Sequence, residues 1–315
     1  MTTLPSVGLV AGSRRSKRLT QRSRAERWAP LLFLLPAALT LLTVSVYPVI
    51  DGLRLSLRNT MLSTQEDAFV GLSNYVRLTA DPDFWSAWRH TMLFTAASTL
   101  LETVLGMAMA IVLYETFKGR GWVRAAMLVP WAIPTVVTSK MFGWLFDGQH
   151  GVVNWLLMQT GLIDGYVNWY GDSQTALLTI IIADVWKTTP FMALLLLAGL
   201  QTVPHSLVEA ARIDGAGPWQ CFWSIRLPLL FTTLLIAGMF RALDAFRIFD
   251  LVYVLTGGGP ADSTEVLSTL SYKVLFSGLD FGYGSALSAA MFITEALIAL
   301  GFGLFIVRRM RRDNG

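Results

Sequence analysis

Arg241, Asp244, Arg247 and Asp250 repeat every third residue, with alternating sign, inside a run that is otherwise apolar. That spacing permits neighbouring ion pairs along a helix. Phe240, Phe246, Phe249 and Tyr253 interleave with these charges, and Trp186 stands beside Lys187 in an earlier apolar run. Fixed donors and acceptors among aromatic faces suit a hydroxyl-rich ligand, whose O–H groups need partners and whose C–H patches pack on rings. Trp186, Lys187, Phe240, Arg241, Asp244 and Arg247 are therefore the candidate residues of a substrate path. The competing role for the same charges is to staple helices together, and Asp250, further out, has the added option of reaching lipid headgroups. No catalytic residue is assigned, because the chain has no GxxxxGK[ST] phosphate loop, no HExxH and no GxSxG. His90, His150 and His205 show no ligand spacing, so no metal site is expected. Cys221 is the single cysteine, which excludes an internal disulfide. Gly257-Gly258-Gly259-Pro260 lacks a lysine partner and is read as a turn built for close backbone packing.

A second constellation is the mixed stretch "EAARIDGAGPWQCFWSIRLP", Glu209 to Pro228, between two apolar runs. Ser206 and Glu209 have the S-x-x-E spacing of a capping box, so a short helix is expected to start at Ser206, after Pro204. Asp214-Gly215 supplies a turn, and Pro218 is suited to the first position of a second helix that runs to about Ile225 before Pro228 breaks it. Physical reasoning on these residues leaves two uses open, a connecting loop or a rigid element that touches another molecule.

The elements that position both constellations follow from composition. Hydrophobic residues make up 54% of the chain, charged residues only 15%, and the mean hydropathy is +0.53, too apolar for a water-soluble domain of this length. A helix needs roughly 20 apolar residues to cross about 30 Å of hydrocarbon. Roughly six runs meet that requirement, at about 30–50, 91–114, 125–146, 175–200, 229–255 and 284–307. The expected fold is an all-α membrane protein of about six transmembrane helices, multi-pass in the plasma membrane, with a basic tail over 1–29 and a membrane domain over 30–315 that carries the hairpin 204–228. Lys and Arg collect before the first run (Arg14 to Arg27), between the second and third (Lys118, Arg120, Arg124), in the hairpin (Arg212, Arg226) and at the end (Arg308 to Arg312). The positive-inside bias makes all of these cytoplasmic, both termini included. These flanks also account for the net charge of +4, so nucleic acid is not an expected partner. Ser13-Arg14-Arg15 resembles a twin-arginine start, but the apolar run is longer than a signal core and no small-x-small cleavage site follows it before Tyr47-Pro48, so a cleaved leader is not expected.

Measured along straight helices from the cytoplasmic end, Glu102, Lys140, Asp184, Lys187, Arg241 and Glu295 fall roughly 20–26 Å deep, in one layer. Facing lipid, each would cost at least a few kcal/mol. They are expected to face one another or water.

The pattern E-A-A, three residues, Gly, nine residues, I-x-L-P is filled at every position by Glu209, Ala210, Ala211, Gly215, Ile225, Leu227 and Pro228. It resembles the EAA signature of ABC-importer permeases. The wording "EAARIDGAGPW", with "GLQTVP" at 199–204, "FDLVYVLTGGGP" at 249–260 and "GYGSALS" at 282–288, resembles the carbohydrate branch, of the maltose, glycerol-phosphate and trehalose type. The similarity is most specific to the first permease subunit of an actinobacterial trehalose-type importer. The resemblance implies a permease of type I fold that is not itself an enzyme. It also implies partners: a second homologous permease chain, two ATP-binding subunits that hold ATP and Mg so that this chain binds no cofactor, and an extracytoplasmic sugar-binding protein. Glu209, Ala210, Ala211, Arg212, Asp214 and Gly215 would then couple the chain to the ATPase. Two other classes compete. A self-contained proton- or sodium-coupled carrier would use Glu102, Asp184 or Glu295, but it does not need such a hairpin. An intramembrane enzyme lacks a nucleophile or metal motif. External segments 51–89 and 256–283 are candidate docking surface for a binding protein, though their aromatics equally suit interfacial anchors.

The charge bias yields a direct test of topology. Ser13→Cys and Asn314→Cys should both be shielded from membrane-impermeant thiol reagents added outside intact cells; labelling of either from outside overturns the map.

Overall fold

The computed structural model describes residues 33–313, so the tail expected over 1–29 lies outside the described residues. The chain divides into two units, Met1–Asp51 and Gly52–Gly315. In the first unit the described residues are apolar helix, the leading part of α1 (Phe33–Ser56), with a π-helical stretch at Leu41–Val46.

The second unit opens with a small antiparallel hairpin, β1 (Arg58–Met61) and β2 (Glu66–Phe69), in which Arg58 pairs with Phe69. Its hydrogen bond to Arg58 holds the Asp67 carboxyl below the usual carboxylate range. α2 (Ser73–Ala80) follows, and then α3 (Pro82–Tyr114). The start of α3 is written in its sequence. The Asp81 carboxylate accepts the backbone N–H of Asp83 at 2.9 Å, and Pro82 occupies the first turn. The expected span 91–114 is thus the inner part of a longer helix.

The third run is not one straight span. α4 (Arg120–Ala132) and α5 (Thr135–Leu145) are bent by 90° at Ile133-Pro134. Proline disfavours a helical residue before it, and Ile133 is extended, at φ −70° and ψ 131°. Pro190 inside α7 (Ala176–Leu200), which follows α6 (Val152–Gln159), has no such effect. There the Thr189 hydroxyl bonds back to the carbonyl of Val185 at 2.6 Å, and the helix continues.

After α7 comes the hairpin, α8 (His205–Ile213) and α9 (Pro218–Phe246). Two expectations about it are corrected. The capping box at Ser206 and Glu209 does not form: α8 starts one residue earlier, with Pro204 at the N-cap and no side-chain cap bond. Nor does Pro228 end the second helix. A π-helical stretch, Phe222–Arg226, widens the turn before it, with the Leu227 N–H donating to the Phe222 carbonyl, and the helix runs on to Phe246. The extra residue carries the proline ring past the carbonyl it would otherwise strike. The expected fifth span, 229–255, does break, but at its other end. Arg247 and Ile248 donate to carbonyls only three residues back, the Ser268 hydroxyl takes up the Ile248 carbonyl, and a separate short helix, α10 (Asp250–Leu255), follows Phe249 at φ −136° and ψ −60°. The four-charge repeat from Arg241 to Asp250 therefore does not lie on one helix.

The loop 256–266 leads to α11 (Leu267–Tyr272), a π-helical stretch at Lys273–Ser277, and the final α12 (Phe281–Asp313). Gly258, at φ +95°, is the close turn expected there: a Cβ on it would stand 2.0 Å from Oε2 of Glu265. Burial pushes the Lys273 ammonium down, but its hydrogen bond to Glu265 and the charges of Glu265 and Asp262 outweigh that, and its pKa is raised. Among the described residues five helices are long and apolar enough to cross a membrane, or six with the bent pair counted as one. The expected class is thus met, with β1 and β2 as a small addition.

α3, α7 and α9 meet in a core that includes Met107, Ala110, Leu113, Met192, Leu196 and Leu230. Two glycines allow the approach. A Cβ on Gly106 would lie 2.8 Å from Cγ of Met192 and 3.1 Å from the backbone N of Ala193, and one on Gly199 would lie 2.6 Å from Cγ2 of Thr233. Gly106→Val and Gly199→Val should each cost about 1–3 kcal/mol of stability through overpacking. Gly303→Ala, where nothing lies within 4 Å, serves as the control and should be neutral or slightly stabilising. Thermal denaturation in nanodiscs tests this; equal behaviour of all three variants contradicts the packing account.

Candidate functional site

Arg241 is 3% exposed and sits where α3, α7 and α9 converge. Its guanidinium is shared among three carboxylates. Nε donates to Oε2 of Glu102 on α3, and Nη2 donates to Oε1 of Glu102 at 2.9 Å and to Oδ2 of Asp184 on α7. Nη1 reaches Oδ2 of Asp244, one turn along α9, at 3.1 Å. The Thr188 hydroxyl also donates to Glu102. Glu102 and Asp184 are themselves buried, so this is a fork-shaped tie between three helices.

Next to the tie lies a cavity of about 300 Å³. Asp184, Lys187 and Thr188 of α7, the Arg241-Asp244-Arg247 end of α9, and Phe249 and Asp250 beyond it form one side. Trp131 and Thr135, the residues flanking the α4/α5 break, form the other. Lys187 Nζ donates to the Trp131 carbonyl at 3.3 Å, a group freed by the bend. Nε of Arg247 lies 3.3 Å from Oε1 of Glu295, linking α9 to α12. A larger depression of about 620 Å³, between α3, α9 and α12, is lined by Leu100, Leu234, Phe302 and similar side chains. It carries no charge, and apart from the hydroxyls of Thr95, Thr99 and Thr103 its lining is apolar.

Of the expected path residues, Lys187, Arg241, Asp244 and Arg247 line the polar cavity, whereas Trp186 and Phe240 do not. Successive residues of a helix point about 100° apart, so adjacency to Lys187 or Arg241 turns a ring away from the cavity. Trp186 packs on Phe142, with ring centroids 5.4 Å apart, and Phe240 is 56% exposed. Trp131 and Phe249 take the aromatic places. Lys140 is not part of the charged layer, because it lies on α5 beyond the bend, where depth counted along a straight third span no longer applies; it is exposed. Trp131, Thr135 and Thr188 were missed. A signal for Thr188 existed in its spacing of four from Asp184, which puts both on one helix face. Pro134 was the signal for the break that places Trp131 and Thr135.

The hairpin is the second site. Gly215, at φ +88°, closes α8 in a Schellman arrangement: its N–H donates to the Arg212 carbonyl at 3.1 Å, and the Ala216 N–H donates to that of Ala211 at 2.8 Å. Glycine suits this left-handed position, as expected from its place in the motif. Glu209, Ala210, Arg212 and Asp214 are exposed, and Ala211 is half-buried. Neither Glu209 nor Arg212 has an ion-pair partner among the described residues. Ile213 is 86% exposed and Trp219 74%, so charges and large apolar side chains share one open surface.

Comparison with known proteins agrees with this architecture. Residues 102–312 match the family described as "Binding-protein-dependent transport system inner membrane component". The trehalose/maltose transport system permease protein of Thermococcus litoralis is 42% identical over 284 residues, covering 90% of this chain and 94% of that protein. The trehalose transport system permease protein of Mycobacterium tuberculosis is 41% identical over 283 residues, covering 88% of each. Among solved structures, a chain of a bacterial ABC transporter involved in the import of the acidic polysaccharide alginate superposes with a TM-score of 0.79 over 90% of this chain and 97% of its own; at 22% identity that likeness speaks to the fold. A family match across both the buried tie and the hairpin, with relatives above 40% identity along most of the chain, means that this chain belongs to the binding-protein-dependent transport system inner membrane components: it is a multi-pass inner-membrane permease subunit of an ABC importer and not itself an enzyme.

Proposed function

We propose that this permease carries a sugar, a disaccharide of the trehalose or maltose kind, and that the cavity beside Arg241 is part of its passage. The observation that carries the reading is the cavity's composition: charged and hydroxyl groups from Lys187, Thr188, Asp244 and Arg247 next to the rings of Trp131 and Phe249. The relatives named for trehalose and maltose transport support the same cargo. A volume of about 300 Å³ is at the lower end of ligand pockets, which run from about 300 to 1,000 Å³. A second homologous permease chain facing this one supplies the remaining wall.

Within this reading, Arg241 and the other cavity residues do different work. Arg241 is consumed by Glu102 and Asp184 and holds three helices together, while Asp244, with its side chain 69% exposed, and Arg247, 61% exposed, have capacity left for cargo hydroxyls. The same tie engages Glu102 and Asp184, two of the three carboxylates that a proton-coupled carrier would use, and the third, Glu295, is paired with Arg247.

The drive comes from two partner subunits that bind ATP and Mg, and an extracytoplasmic binding protein delivers the sugar. The exposed face of α8, with Glu209, Arg212 and Ile213, seats in a groove of an ATP-binding subunit. The Gly215 turn keeps the hairpin stiff, so rotation of that subunit passes to α7 and α9 as a lever passes force. Alternating access of the cavity follows.

Two predictions separate these roles. In vesicles holding the assembled complex, Asp244→Asn and Arg247→Gln should raise the sugar KM by about tenfold, the effect of losing one charge-assisted hydrogen bond, with assembly intact. Arg241→Leu should instead lose assembled complex, since it strands two buried carboxylates at a cost of about 3–5 kcal/mol. Uptake across a panel of sugars reads the first, and complex recovered on purification reads the second. Unchanged KM and preference in both Asp244→Asn and Arg247→Gln removes the cavity from the passage.

The other prediction concerns the hairpin. Glu209→Lys, and Gly215→Val at its left-handed position, should abolish sugar-stimulated ATP hydrolysis and uptake while the permease stays in the membrane. Normal coupled transport in both would make the hairpin a mere connector.

A further inference from the structure

The base of the hairpin closes on a single ring. Tyr114 is the last residue of α3, and its phenol lies between the two arms of the hairpin. On one side is His205, the first residue of α8: the rings stack at 5.6 Å with 19° between their planes, and the Tyr114 hydroxyl is 3.2 Å from Nε2. On the other side is Arg226, from the π-helical stretch of α9, whose guanidinium carbon stands 5.1 Å from the ring centroid. The Arg226 side chain is only 12% exposed, and its Nη2 also lies 3.9 Å from Oε1 of Glu115. α4 secures the same helix end from below, with Nη2 of Arg124 donating to the Leu113 carbonyl at 3.0 Å and Nη1 of Arg120 to that of Tyr114 at 3.4 Å.

Twelve residues before Tyr114 on the same uninterrupted helix is Glu102, the carboxylate that grips Arg241 in a fork. At 1.5 Å per residue the two are about 18 Å apart along the axis. α3 thus has one polar attachment at the hairpin and another at the cavity.

We propose that Tyr114 is a positioning residue for energy coupling: clasped between His205 and Arg226, it makes the hairpin and α3 move as one body, so that displacement of the hairpin is delivered to the Glu102–Arg241 tie beside the cargo cavity. The inference rests on the reading of the hairpin as the element that meets the ATP-binding subunits. Without the clasp, α8 is tied to the spans only through its links to its chain neighbours, residues 201–204 from α7 and the turn 214–217 into α9, and part of its displacement is absorbed there. The flat stack and the cation over the ring carry the clasp. The hydroxyl contact is secondary, because its geometry to His205 is long.

The readout is the ratio of sugar transported to ATP hydrolysed, measured with trehalose in vesicles containing the whole importer and normalised to assembled complex. Tyr114→Ala should lower that ratio by about three- to tenfold, the range set by loss of a ring stack and a cation–π contact. Tyr114→Phe, which keeps the ring, should restore it to within about twofold of the parent. If Tyr114→Ala does not assemble, His205→Ala and His205→Phe, made at an exposed position, give the same contrast. A ring that merely packs predicts lower thermal stability with no change in the ratio, and that result overturns the proposal. Glu209→Lys is measured in parallel. If it uncouples transport while the Tyr114 and His205 alanine variants do not, the clasp is wrong and the hairpin reading stands; if none of them changes the ratio, the hairpin reading falls and takes the clasp with it.

Discussion

A guanidinium that is 3% exposed inside a membrane protein has to be neutralised by neighbours that are equally hidden, and in this chain that requirement fixes how three helices meet. Arg241 needs Glu102 from α3 and Asp184 from α7, and each of those carboxylates needs Arg241 as much. The glycines then make the geometry attainable. Gly106 brings α3 against Met192 and Ala193, and Gly199 brings α7 against Thr233, so the polar tie and the close packing are two parts of one arrangement. Such a tie is poor at adding stability, since desolvation cancels most of the attraction, but it is good at rejecting other alignments. A helix shifted by one turn would leave charges bare in hydrocarbon.

The polar cavity exists because the regular helices stop around it. α4 ends at Ala132, α9 ends at Phe246, and both leave backbone and side-chain groups facing the same space. In hydrocarbon an interrupted helix is tolerated only where protein or a water-lined cavity satisfies the freed groups. Here Lys187 meets the Trp131 carbonyl and Ser268 meets that of Ile248. Charged side chains and helix ends therefore keep company for a physical reason.

Much of this was legible in the sequence, for reasons that differ by feature. The spans were readable because about 20 apolar residues in a row have few other uses, and the hairpin because glycine at 215 and proline at 218 constrain the backbone locally. The charged layer was readable in outline, since Glu102, Asp184 and Arg241 are costly wherever they do not meet. What escaped was direction. Trp186 and Phe240 are neighbours in sequence of cavity residues and turn away from them in space, and Lys140 was carried off by a bend whose angle no residue count supplies. The pairing of Ser206 with Glu209 had the spacing of a cap, but Pro204 already set the helix start, so the box had nothing to close. Pro228 misled for a related reason: its effect depends on the register of the turn before it, and a π-helical turn removes the clash.

The break at Ile133-Pro134 makes part of the cavity wall out of main chain, where the carbonyl of Trp131 faces Lys187. A carbonyl is the same whatever the side chain attached to it. That part of the wall is therefore invariant under almost any substitution that keeps the bend, whereas the parts built from side chains, Trp131 and Thr135 on one side and Asp244, Arg247 and Phe249 on the other, are not. Lineages of such permeases that change cargo can edit the side chains around the chamber, Trp131 and Thr135 among them, but the carbonyl at the bend stays as a fixed acceptor for as long as the bend is inherited.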